Sequence, residues 1–127
     1  PWLQAAASGA LGSLAASGPR LKPLHSVHVV MAAAGYPGGA GVVVRKGDEI
    51  TVPTEFFPAE GQGERLTKLF FAGVERQGHP PKLLTAGGRV LGLTALGASR
   101  EEARAKAYSL IEAVKFAGSQ RRNDVGK

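Results

Sequence analysis

Alternating and continuous apolar runs predict a β-rich middle part of the chain. Residues 27–32 are apolar at nearly every position, which favours a strand buried on both faces over an exposed edge strand. Other β-branched or aromatic runs predict strands at 41–45, 49–52, 68–71, 82–85 and 89–96. Because Gly47 lies in a short turn between the 41–45 and 49–52 runs, these two runs predict a hairpin.

The clearest helix signal follows the last predicted strand. Ser99 and Glu102 form a capping-box pattern, in which the serine hydroxyl accepts from the Glu102 amide and the Glu102 carboxylate reaches back to residue 99. Apolar residues then recur at helical spacing on one face, at Ala103, Ala107, Leu110, Ile111 and Val114. Gly118 marks the far end of this helix.

The first part of the chain carries a weaker helix signal. Apolar spacing predicts a short helix within residues 2–14, although each of its two glycines costs about 1 kcal/mol relative to alanine. Residues 16–23 are rich in Ser, Gly and Pro and indicate a loop or linker. The order of helix, about six strands, helix and polar tail at 120–127 predicts an α+β domain. Its sheet is expected to be mostly antiparallel, with the C-terminal helix packed on one face.

Composition narrows the class of protein. A chain of 127 residues is expected to form one domain, and 43% hydrophobic residues with a net charge of +6 indicate a globular protein. The chain has no cysteine, which excludes disulfides and thiolate sites and makes the cytoplasm the expected location. No apolar stretch approaches the roughly 20 residues needed to span a bilayer. Because the chain does not begin with Met, it is expected to begin within a longer protein.

Catalytic motifs are scarce in this sequence. His25 and His28 have a metal-like spacing, but no carboxylate or thiol lies nearby to complete a metal site. The sequence contains no nucleotide-binding P-loop, no serine nucleophile elbow and no zinc-protease motif. We therefore assign no catalytic residue and no metal ligand within this chain.

Two glycine-rich points carry arginines that suit phosphate oxygens, namely Arg89 after Gly87 and Gly88, and Arg122 in the tail. For Gly87, Gly88 and Arg89, an ordinary tight turn or a surface ion pair is the more common explanation, and for the tail a solvated basic end is an equal alternative. Lys46 lies at the tip of the predicted hairpin, where biotinyl and lipoyl carriers attach their prosthetic group. It lacks the flanking residues of those carriers and is interpreted as part of an ordinary polar turn.

Five segments in order carry a resemblance to a known family. They are His28–Gly38 (HVVMAAAGYPG), Phe70–Gly73 (FFAG), Leu84–Gly97 (LTAGGRVLGLTALG), Glu102–Tyr108 (EARAKAY) and Arg122–Gly126 (RNDVG). Together they resemble the carboxy-terminal domain of the phosphoribosylamine-glycine ligase family, whose members are ATP-grasp enzymes. The similarity extends from about residue 3 to Lys127.

The resemblance implies a complete enzyme of purine biosynthesis that joins glycine to 5-phosphoribosylamine with ATP hydrolysis. It implies the fold of an ATP-grasp C-terminal domain, of the rudimentary hybrid-motif type. Residues 1–24 are then a short helix and linker from the preceding ATP-grasp region, and residues 25–127 are the C-terminal domain. ATP and Mg²⁺ or Mn²⁺ are expected to bind mainly to upstream domains of the same polypeptide, so the chain alone is expected to be inactive.

The resemblance also implies substrate-binding roles for five residues. Arg89 and Arg122 are expected to contact the phosphoribosyl or phosphate groups of the substrate, because their planar guanidinium groups suit phosphate oxygens. Gly87 and Gly88 are expected to let backbone amides approach the ligand, and Asp124 to orient an arginine. The implied partners are phosphoribosylamine, glycine and the upstream domains, with no membrane partner.

Two other function classes remain open from the residues alone. The net charge and the basic tail suit a small module that binds RNA or DNA. The few scattered aromatic residues argue against it, since single-strand binding surfaces stack bases on aromatic rings. The third possibility is a non-catalytic interaction domain, for which Arg89→Ala and Arg122→Ala should leave every ligand response unchanged.

Overall fold

A computed structural model describes residues 2–14, 18–19, 21–57 and 66–127. Its helices and strands are α1 (Trp2–Ala7), β1 (His25–Ala32), β2 (Thr67–Phe71), β3 (Val74–Gln77), β4 (Lys82–Thr85), β5 (Arg89–Gly97) and α2 (Arg100–Ile111), with short 3-10 turns at Leu11–Ser13 and Thr54–Phe56. The strands form two antiparallel sheets, one in the order β1-β5-β2 and one of β3 and β4. The predicted α+β class is confirmed.

The strand predictions differ from the structure in number and in one pairing. Five strands lie within the described residues, against about six predicted, and β3 was not anticipated. The predicted hairpin of 41–45 with 49–52 is wrong. The Arg45 amide donates to the Ala34 carbonyl at 2.9 Å, whereas the Ile50 amide donates to the Leu83 carbonyl at 2.8 Å. The two runs bond to different neighbours, so no ladder forms between them.

The expectation that β1 is buried on both faces is also wrong. β1 is an edge strand, and it buries Val27, Val29 and Met31 on one side while His28 and Val30 face the other side. The reason is tertiary: β5 pairs with both β1 and β2, which leaves β1 at the edge, and α2 packs on one face of the sheet. Only that face of β1 contributes to the core shared with α2.

Helix α2 covers the buried face of the three-stranded sheet. Its N-cap hydrogen bond forms as predicted, because the Ser99 hydroxyl accepts from the Glu102 amide at 3.1 Å. The Glu102 carboxylate also reaches back, but it accepts from the Ala98 amide at 2.8 Å, one residue before the predicted partner. The helix ends at Ile111, earlier than predicted, although Val114 beyond it is still buried. The helix and the sheet together bury Val27, Val29, Met31, Leu91, Leu93, Ala95, Ala103, Ala107 and Ile111 in one core.

The C-terminal segment is docked onto the domain and does not extend freely into solvent. The Gln120 amide donates to the Ala32 carbonyl at 2.9 Å, and the Arg104 guanidinium donates to the Asn123 and Val125 carbonyls at 2.8 and 3.2 Å. Tyr108 donates its hydroxyl to the Arg122 carbonyl at 2.8 Å. These contacts fix the backbone of the tail on the domain, while the Arg122 and Lys127 side chains remain exposed to solvent.

Part of the predicted linker is not described. Residues 16, 17 and 20 of that segment lie outside the described residues, whereas residues 18–19 and 21–23 lie within them. No described helix has both the length and the apolar character to cross a membrane.

Candidate functional site

An open cleft of about 770 Å³ lies on the sheet face that α2 leaves uncovered. One wall is the segment that follows β1, and the other is the glycine turn that leads into β5. The cleft is lined by polar, apolar and basic residues that include His28, Tyr36, Lys46, Phe70, Gly88 and Arg89, with no Asp or Glu among the lining residues. A site with unopposed positive charge and no carboxylate suits an anionic ligand.

A smaller cleft of about 350 Å³ adjoins the first. Val30, Tyr36 and Arg89 line both clefts, and Arg121 and Arg122 line only the smaller one. The structure therefore brings the predicted Arg89 and Arg122 to one cleft, although they are 33 positions apart in the chain.

The position of Arg89 depends on an irregularity in strand pairing. The register between β1 and β5 shifts between Met31 and Ala32, so Ala32 lies opposite Arg89 and not opposite Val90. Val90 and Leu91 are both buried as a result, and Arg89 lies on the open side of the sheet. An extra residue in one strand turns the neighbouring side chain towards the other face of the sheet. With unbroken alternation, Arg89 would lie on the same face as the buried Leu91.

The predicted Gly87 and Gly88 form the floor of the larger cleft. The Tyr36 ring lies directly over Gly88, where an added Cβ would be 2.5 Å from the tyrosine Cδ2. The Gly88 carbonyl accepts from the Ala33 amide at 2.8 Å. Within the described chain, the Gly87 and Gly88 amides donate to no other group. Both amides thus lack a protein acceptor among the described residues, which makes them candidate donors to an oxygen of a ligand.

Arg122 and Asp124 contact each other. Arg122 Nε donates to Asp124 Oδ1 at 2.8 Å, and a second hydrogen bond from the same guanidinium makes the pair bidentate. These bonds favour the ionised carboxylate and lower the pKa of Asp124 to about 2. Asp124 thus contacts an arginine, and it does not line either cleft.

The other cations of the two clefts differ in their partners. Arg121 is paired with Glu112 at 3.1 Å. Neither Arg89 nor Lys46 has a carboxylate within ion-pair distance in the part of the chain that the structure describes. Two of the four cations are therefore not neutralised by the protein itself.

Sequence reasoning missed three cleft residues: His28, Tyr36 and Lys46. His28 Nδ1 lies 2.8 Å from Thr94 Oγ1, and its ring is edge-on to Phe70 with the centroids 6.2 Å apart. Alternation along β1 places His28 on the face opposite Val29. If β1 had been predicted to bury only one face, His28 would have been predicted to lie on the open face. Lys46 had no such signal, because its place depends on the segment that was mistaken for a hairpin.

The described residues contain no group of three or more His, Asp or Glu side chains that could hold a metal ion. Mg²⁺ prefers oxygen ligands, usually carboxylates. The lining of the larger cleft offers basic and apolar groups, so it does not fit a magnesium site.

The chain matches the family model described as phosphoribosylglycinamide synthetase, C domain, over residues 26–127. It is 47% identical over 103 residues to the phosphoribosylamine-glycine ligase of Synechocystis sp., covering 80% of this chain and 22% of that protein. It is 45% identical over 101 residues to the ligase of the same name from Thermotoga maritima, covering 79% of this chain and 21% of that protein. The crystal structure of the Thermotoga maritima ligase superposes with a TM-score of 0.59 at 43% identity, over 78% of this chain and 21% of that one. The chain thus spans about one fifth of the length of these relatives.

Proposed function

The chain belongs to the phosphoribosylglycinamide synthetase C-domain family, and we propose that it works as the C-terminal domain of a phosphoribosylamine-glycine ligase. The complete enzyme would join glycine to 5-phosphoribosylamine and convert ATP to ADP and phosphate, giving glycinamide ribonucleotide for purine biosynthesis in the cytoplasm. Residues 25–127 form the domain in this proposal. Residues 1–24 are the helix and linker from the preceding ATP-grasp region.

The observation that carries this proposal is the cleft around Arg89. It combines an arginine without a carboxylate partner in the described chain, two unpaired glycine amides and a tyrosine ring in one open site without acidic lining. Phosphoribosylamine carries a phosphate, which requires such donors, and a ribose, which packs well beside an aromatic ring. The cleft is therefore suited to the phosphorylated substrate.

Within this cleft, Arg89 contacts the phosphate and the Gly87 and Gly88 amides donate to its oxygens. Arg122 reaches the same ligand from the smaller cleft, with its guanidinium oriented by Asp124. Bidentate orientation keeps the planar group in one direction, which lowers the entropy lost when a ligand binds. Each of these residues serves binding, so none is assigned a role in proton transfer.

ATP and the metal ion belong to the remainder of the enzyme in this proposal. When bound there, ATP would supply the phosphoryl group that activates the glycine carboxylate, with ADP as the leaving group, and the metal ion would offset the charge on the transferring group. This chain supplies no ligand set for Mg²⁺ among its described residues. It needs upstream domains of the same polypeptide as partners, and by itself it is inactive.

A domain exchange tests the proposal. The matching segment of the Thermotoga maritima ligase is replaced by this chain, and formation of glycinamide ribonucleotide is measured. We expect the hybrid to form product only when glycine, ATP and phosphoribosylamine are all present. A folded hybrid that hydrolyses no ATP in the presence of both other substrates contradicts the proposal.

The same hybrid tests the role of Arg89. The Arg89→Ala change should raise KM for phosphoribosylamine about tenfold, as loss of a charge-assisted hydrogen bond in a partly exposed site predicts, and leave KM for ATP unchanged. Arg100→Ala is the matched control, since Arg100 is exposed, is paired with Glu101 and lines neither cleft. Equal losses for both substrates would show that Arg89 does not bind the phosphoribosyl group.

A further inference from the structure

Lys46 lines the larger cleft with Arg89, and, in the described part of the chain, it likewise has no carboxylate partner. Its sequence neighbour Arg45 differs, because its guanidinium is bound by the Asp48 carboxylate. Arg45 Nε donates to Asp48 Oδ1 and Oδ2 at 2.9 and 2.7 Å, and a terminal nitrogen of the guanidinium also donates to Oδ1. Of these two adjacent cations, Arg45 is therefore neutralised within its own turn, whereas Lys46 lines the cleft.

We propose that Lys46 and Arg89 form a two-cation site for one phosphate group, with Lys46 as a binding residue. This inference rests on the proposed function for the identity of the phosphorylated ligand. The site itself is defined by the cleft, the two cations and the unpaired amides of Gly87 and Gly88.

The backbone of Lys46 is fixed beside the glycine turn by a buried residue. Thr85, which is 2% exposed, accepts from the Asp48 amide through its hydroxyl at 3.0 Å and from the Gly47 amide through its carbonyl at 2.7 Å. Its own amide donates to the Asp48 carbonyl at 2.9 Å. Thr85 is the last residue of β4, and the chain continues from it to Gly87. These hydrogen bonds therefore fix the position of the turn that contains Lys46 relative to the glycine turn before Arg89.

The two cations supply different contacts to a phosphate. The Arg89 guanidinium has a planar fork that donates two parallel hydrogen bonds, whereas the Lys46 ammonium is a compact charge at the end of a flexible stem. A phosphate monoester carries a charge of about −1.5 to −2 near pH 7, which two cations can balance. A carboxylate carries a single negative charge, so a site with two cations favours phosphate as the anion.

Isothermal titration calorimetry of the 127-residue chain with ribose 5-phosphate, and separately with ATP, tests the site at low salt. We expect saturable binding of ribose 5-phosphate that Lys46→Ala weakens about fivefold to tenfold, and Arg89→Ala at least as much. Lys46→Arg should restore most of the binding, because it keeps the charge. Lys82→Ala is the matched control, since Lys82 is also exposed but is paired with Glu49 outside this cleft.

The possible outcomes distinguish three claims: that the phosphate site exists, which ligand it binds, and that the chain belongs to a working ligase. If Lys46→Ala weakens ATP binding and leaves ribose 5-phosphate binding unchanged, the phosphate site stands and its phosphate comes from the nucleotide. If Lys46→Ala changes neither, or if the unaltered chain binds neither anion, the inference is wrong. An active hybrid ligase alongside that negative result would leave the proposed function intact, whereas an inactive hybrid with Lys46-dependent phosphate binding would overturn only the function.

Discussion

The three-stranded sheet has one face covered by α2 and one face that lines the larger cleft, and the two faces are built differently. On the covered face, Val29, Leu93 and Ala107 lie in a closed apolar core and are fully buried. On the open face, His28 and Phe70 remain exposed, and the charged groups around them come from loops and a strand end. The packed apolar side chains of the covered face stabilise the fold, whereas the open face leaves polar groups available to a ligand.

The largest expected effect comes from opening a cavity on the covered face. Leu93→Ala should lower the free energy of unfolding by about 2 to 5 kcal/mol, because Leu93 is fully buried and its surroundings relax only partly. Val30→Ala on the open face should cost less than about 1 kcal/mol, since that side chain is already 39% exposed. Urea denaturation measures both free energies of unfolding. Similar decreases for the two variants would contradict the expected difference between the two faces.

A second test uses two glycines of β5. An added Cβ at Gly97 would lie 2.5 Å from the backbone nitrogen of Ala103 in α2, whereas one at Gly92 would lie 2.4 Å from His28 Nε2. Helix backbone cannot move aside, so Gly97→Ala should cost about 1 to 3 kcal/mol of stability. Gly92→Ala should cost less, because the exposed His28 ring can rotate away at the loss of its contact with Thr94. A larger loss from Gly92→Ala than from Gly97→Ala, by thermal unfolding, would contradict this comparison.

The smallest effect concerns an ion pair beside the smaller cleft. The folded-state pKa of Asp124, about 2, is below the ordinary value of about 3.9. The contribution of this pair to stability is therefore fully present above pH 4 and is lost as the pH falls towards 2. Titration of the Asp124 carboxyl carbon by NMR measures this pKa, which Arg122→Ala should return towards its ordinary value.

Arg121→Ala is the control for that titration. Arg121 lies next to Arg122 in sequence and lines the same cleft, but it is paired with Glu112. We expect the Asp124 pKa to stay near 2 in this variant. An unshifted pKa in Arg122→Ala, or an equal rise in both variants, would show that Arg122 is not the group that holds Asp124 ionised.

Elements with strong local signals could be predicted from the sequence. The capping box at Ser99 and Glu102 needs only residues three apart, and the strand at Lys82–Thr85 is a short β-branched and apolar run between turns. The hairpin prediction failed because β-branched runs favour extended backbone without specifying the partner. Arg45 bonds to Ala34, a contact across a loop that no local pattern encodes.

Residues of the candidate site likewise fall into those that local sequence signals predicted and those that depend on tertiary contacts. The glycine turn before Arg89 and the Arg122 segment were visible as residue types suited to phosphate, and the structure places both arginines at the smaller cleft. Tyr36 and Lys46 were not found, because their place depends on where the segment after β1 folds back. Their role in binding, like that of Arg89 and Arg122, remains a prediction.

The sequence alone determined the α+β class, the capped C-terminal helix, most of the strands and the family resemblance, since these depend on residue order, periodicity and short-range hydrogen bonds. Tertiary structure alone decided that β5 is central, that β1 is an edge, and that the register shifts opposite Arg89. It also decided that Thr85 holds the Lys46 turn beside the glycine turn. These features require backbone groups about 20 or more residues apart to bond, and such pairings are selected by the packing of the whole domain.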